Sequence, residues 1–208
     1  MNNMRSRAKS QMPMVLLTLL SIIQALALEL LWVHVTESPD LMRWSWFTLL
    51  HWIQIIVTLL GIILVWLLYS SMTMRFSWVP ASGDSVIPFG IGILEFTLIA
   101  VLGVAHLGAW FATLAGLFAV SHWAMQSILR RARSDGDNDH YFSDIPPARF
   151  RDFLPALLVV ATLLLMGLAL KLTGHTGVFA LAAVLLAGVA VAQQIHLCAQ
   201  RWRKAMRH

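Results

Sequence analysis

The chain has 208 residues, of which 59% are hydrophobic and 12% charged, with a formal net charge of +5. A soluble domain holds about 25% charged residues, so with a mean hydropathy of +0.74 a water-soluble globule is excluded and an all-α, multi-spanning membrane protein is expected. The single cysteine, Cys198, rules out an internal disulfide and any cysteine-held zinc or iron–sulfur centre.

The first apolar run covers Met14–Val35. Its basic start and Ala25-Leu26-Ala27 look like a secretory signal peptide. The apolar character continues to Val35, so a retained first helix is expected. Glu29 and His34 interrupt it. A charge at the bilayer centre costs roughly 2.5–3.5 kcal/mol on insertion scales. Glu29 is therefore expected to face the interior, on a stripe with Ser21, Ala25 and Trp32.

The second span is expected over Trp44–Ser70, with Thr48, His51, Gln54, Thr58 and Gly61 as its polar stripe. His51 enters to about the depth of Glu29. The third, Val86–His106, carries Glu95 and His106 on one face, about 16 Å apart along the axis. The fourth, Gly108–Leu129, follows with only Gly108 to turn on, and it carries His122 and Gln126. A charged loop fills 130–152. Asp135, Asp137 and Asp139 alternate there like the start of a calcium loop, but His140 and Pro146 stand where glycine and glutamate are needed. The fifth span is Phe153–Lys171. The sixth, Thr176–Gln200, is rich in small residues (Ala180, Ala183, Ala187, Gly188) and ends in Gln193 and His196.

Basic residues set the direction. Of 15 Lys and Arg, only Arg43 and Lys171 fall on the side opposite the termini, which predicts cytoplasmic termini. The nine tryptophans sort near two predicted boundaries: Trp32, Trp44, Trp46, Trp52 and Trp110 outside, Trp66, Trp78, Trp123 and Trp202 inside. The expected location is the cell membrane, of the bacterial inner-membrane type. The positive charge suits lipid headgroups, and no nucleic acid is expected.

These placements point to an ion or proton pathway of Glu29, His51, Gln54 and Glu95, with His34 and His106 at its outer mouth. His122, Gln126, Gln193 and His196 form a second polar cluster at the inner end. The leading expectation is a small channel or a proton- or cation-coupled transporter. The alternative is a non-enzymatic membrane subunit, docking a partner protein at 130–152 or forming a homo-oligomer through 176–200. A third is a redox subunit binding haem b or quinone through His51, His106, His122 and His196, although cytochrome b-like sites pair their histidines on two helices rather than four. Otherwise no cofactor is expected. Neither G-x-S-x-G nor H-E-x-x-H is present, so no enzyme chemistry is indicated. A faint echo between His51–Gln54 and His122–Gln126 raises the idea of a parallel repeat.

Overall fold

A computed structural model describes residues 2–143, 149–174 and 177–205. Within them the chain is helical, with no strand. Six helices are long and apolar enough to cross a membrane: α1 (Asn2–Glu37), α2 (Trp46–Arg75), α3 (Ser82–Ala100), α4 (Leu107–Arg133), α6 (Phe150–Thr173) and α7 (Val178–Ala205). A four-residue helix, α5 (Asp139–Phe142), lies in the charged connection between α4 and α6. Pro146 and Thr176 lie outside the described residues, so the calcium-loop pattern and the start of the sixth span are not covered to their ends.

Each helix satisfies its own backbone, as an apolar solvent demands. Helix ends follow local chemistry. Ser45 caps α2 by accepting from Thr48 N at 3.1 Å. Asp84 holds the start of α3, accepting from Ala81 N at 3.0 Å. Gly174 ends α6 in the left-handed conformation, φ 64°, the usual glycine stop.

Hydrophobic driving force vanishes between helices in lipid, so close packing and polar contacts must hold the bundle. Leu16, Leu20, Ile23, Ala27 and Leu31 line the buried face of α1, which packs on α2 and α3. In turn α3 packs on α4. The last two helices do not pair with each other to any extent. Instead α6 runs along α4 and α7 along α2. Glycine makes both seams tight. A Cβ on Gly167 would meet Phe111 Cβ at 2.8 Å, and one on Gly188 would meet Val57 Cγ2 at 2.9 Å. The small-residue stripe of α7 is thus spent within the chain, with Ala180, Ala183 and Ala187 buried.

Two expectations are corrected. The α3–α4 turn is made by Gly103, at φ 113°, because only glycine adopts that region cheaply. Gly108 lies inside α4, where a Cβ would sit 3.0 Å from the Gly167 carbonyl oxygen. Since α3 stops at Ala100, His106 does not share a helix with Glu95. Of the tryptophans expected near the two boundaries, Trp78 and Trp110 are fully buried in the bundle. Trp44, Trp32 and Trp123 are exposed.

Candidate functional site

Helix α1 brings Gln24 to the bundle interior and α3 brings Glu95 to meet it. Gln24 follows Leu20 by one turn and so shares the buried face. Gln24 Nε2 donates to Glu95 Oε1 at 3.0 Å. The carboxyl is 0% exposed and Gln24 5%. Glu95 Oε2 has no hydrogen-bond partner. Gln24 lies about 20 Å along the axis from the Glu37 end of α1, so the pair sits well inside the span.

Gln54 on α2 is also 0% exposed, and neither its amide nitrogen nor its oxygen has a partner. One turn on, Thr58 is fully buried but satisfied, accepting from Trp110 Nε1 at 3.1 Å. Buried polar groups in proteins are nearly always partnered. Seven buried side-chain polar atoms lack a partner among the described residues, and three of them belong to Glu95 and Gln54.

Glu29 is not part of this site. It is exposed, because five residues beyond Gln24 correspond to about 140° of rotation, away from the buried stripe. Gln24 was missed for the same reason. Its only sequence signal is its spacing with Leu16, Leu20, Ala27 and Leu31. His51 does reach α1, but at His34 rather than Glu29. Their Nε2 atoms are 2.8 Å apart and their rings meet edge-on, with centroids 5.0 Å apart. One ring donates and the other accepts. His34 stands about 15 Å along α1 from Gln24, so the histidine pair and the Glu95 pair are separate features. His106 is exposed and lines a cleft of about 780 Å³ between α4 and α6, with Lys171 opposite.

At the arginine-rich ends, His122 and Gln126 line a cleft of about 370 Å³ between α4 and α6. Gln193 is exposed on another face. His196 is also exposed and pairs with Gln200 of its own helix at 2.8 Å. The inner cluster is therefore not brought together. Nor do the two hairpins superpose their echo: His51 meets His34, whereas His122 packs edge-on against Phe153.

Haem fits these residues poorly. His51 is directly bonded to His34, with no space for an iron between them. The two clefts carry one histidine each, His106 and His122, where bis-histidine ligation takes two. Among the described residues no group of three or more His, Cys, Asp and Glu is placed to hold a metal ion.

A dense polar network ties the ends of α1, α3 and α4 together. Arg131 donates to Asp84 Oδ1, and Trp78 Nε1 donates to Asp84 Oδ2 at 3.3 Å. Asn138 is 2% exposed and donates to the carbonyls of Ser77 at 2.5 Å and Ala132 at 2.7 Å. Lys9 bridges Asp135 and Asp137, at 2.5 Å each. The acidic run that resembles a calcium loop thus grips a lysine of α1. That lysine bond holds the Asp135 carboxyl below its ordinary range, outweighing the opposing effect of burial.

Comparison with known protein families, curated proteins and solved structures gave no match.

Proposed function

We propose that this chain is a small proton- or cation-coupled membrane transporter whose working group is Glu95, assisted by Gln24 and Gln54. The observation that carries this reading is the unmet hydrogen-bonding capacity at Glu95 Oε2 and the Gln54 amide, deep in an apolar bundle. An ionisable group inside a span is expensive and is kept where it has a task. A carboxyl with one fixed partner and one free oxygen can accept and release a proton or a small cation without dismantling its surroundings. Flux in proteoliposomes, driven by a pH gradient, tests it. Glu95→Gln keeps the bond to Gln24 and should abolish coupled flux in a folded protein. Unchanged flux removes Glu95 from the role.

A second reading has its own support. Glu29 lies on the outward face of α1 beside exposed Leu26, Leu30 and Trp32. A carboxylate facing lipid is costly, and a partner helix offering a donor would relieve it. The chain would then be a non-enzymatic subunit of a larger membrane complex. A photo-crosslinking side chain in place of Ala25 should capture a second protein at fixed stoichiometry, and Glu29→Leu should abolish that capture. Lipid adducts alone would exclude the subunit reading.

A further inference from the structure

The helix ends that carry most of the arginines enclose a cavity of about 730 Å³, walled by α2, α4, α6 and α7. Helices α6 and α7 make few contacts with each other. Four arginines reach this cavity from three helices: Arg75 from α2, Arg130 and Arg133 from α4, and Arg201 from α7. The single carboxylate on the wall, Asp152, already accepts from Arg149 N at 2.7 Å.

Arginines at helix ends are ordinary on one side of a membrane protein. Convergence on a concave wall is not. Neither Arg75 nor Arg130 nor Arg201 forms an ion pair among the described residues. The Arg75 Nε is buried with no hydrogen-bond partner. The Nε of the neighbouring Arg131 is likewise without a partner, but its guanidinium is paired with Asp84. Among the described residues three of these arginines are thus without an ion pair, against one carboxylate, Asp152, on the same wall, and an anion would balance the remaining positive charge.

The rest of the wall defines what carries that anion. Below the arginines the lining is apolar, with Leu68, Met72, Leu129 and Leu197. The cavity shares Gln126, Arg130 and Phe153 with the cleft of about 370 Å³ between α4 and α6, where Leu157 and Val160 continue the apolar lining. Two apolar grooves thus meet beneath one basic rim. Guanidinium groups recognise phosphate oxygens in paired geometry, and basic pockets between spans suit anionic headgroups.

We propose that this cavity is a binding site for one anionic phospholipid, its phosphate held by Arg75, Arg130 and Arg201 and its two acyl chains lying in the two grooves. The site is separate from Glu95 and stands whether or not the chain is a transporter.

The test is native mass spectrometry of the whole chain released from nanodiscs of equimolar phosphatidylglycerol and phosphatidylcholine. One phosphatidylglycerol per chain should survive release, and millimolar inorganic phosphate should not displace it. The double variant Arg75→Gln, Arg201→Gln removes two charge-assisted contacts and should lower retention by about tenfold or more. Leu129→Trp keeps every charge but fills a groove, and should also lose the lipid while its helical circular dichroism is unchanged. Arg203→Gln removes one positive charge from the exposed tail of α7 and should leave retention intact. Equal retention of the two lipids, displacement by inorganic phosphate, or an equal loss in Arg203→Gln would overturn the proposal.

Discussion

Helix α3 carries two buried acids, Asp84 near its start and Glu95 eleven residues later, 3% and 0% exposed. Their circumstances are opposite. Asp84 is met by a guanidinium, an indole N–H and a backbone N–H. Glu95 is met by one amide. Asp84 sits where the chain can surround it with donors, at a helix N-terminus whose partial positive charge also favours an anion. Glu95 sits mid-helix, where every backbone N–H is already used. Under the proposed function the difference would separate a fastening from a working group: a carboxyl with every valence filled has nothing left to exchange, whereas one with a free oxygen does.

Removing each side chain should sharpen that contrast. Asp84→Ala leaves Arg131 without its partner and opens the start of α3. Breaking such a pair costs about 3–5 kcal/mol, visible as a large loss of thermal stability in detergent. Its flux per folded molecule should be unaltered. Gln54→Leu should do the reverse. It removes two buried polar atoms that have no partners, a gain of about 1–3 kcal/mol, while lowering transport. A destabilised Gln54→Leu protein would mean that the amide has a partner in the membrane and is structural. Glu95→Gln should change stability by less than about 1 kcal/mol, since the bond to Gln24 survives.

The smallest expected effect comes from the lysine clamp at the same end as Asp84. The Asp135 carboxyl is lowered in the folded chain, so its contribution is present above the ordinary carboxylate value of about 4. That contribution is lost as pH falls through the lowered folded value. Asp135→Asn should therefore melt slightly below the parent at pH 7, and the gap should close as pH falls below 4. A gap that persists in acid would show that Lys9 is not what holds the loop.

The spans were legible in the sequence because run length and apolarity are read one residue at a time. Where a property depended on a second helix, legibility stopped. Helix α1 extends back to Asn2, beyond the apolar run that begins at Met14, and Lys9 in that extension finds its partners 126 and 128 residues away, a contact that no local pattern announces. Glu29 stands out as a charge, yet the interior position belongs to the uncharged Gln24, and only the packing of α1 against α3 decides between two faces 140° apart. The turn glycine was assigned to Gly108 instead of Gly103, since composition does not reveal which glycine takes a positive φ. Gln54 was foreseen as polar and inward, but its lack of any partner could only be seen once Thr58 had claimed Trp110.

The seams of the last hairpin bear on how the molecule is made. The elements that α6 and α7 chiefly lean on, α4 and α2, and the clamp that joins α1 to the acidic loop, lie before residue 144. A nascent chain can close α1 to α4 before α6 has left the ribosome. The final hairpin then comes to rest astride a finished core, one arm on each flank. The arginine cavity, walled by those two arms together with α2 and α4, can exist only once both arms are in place.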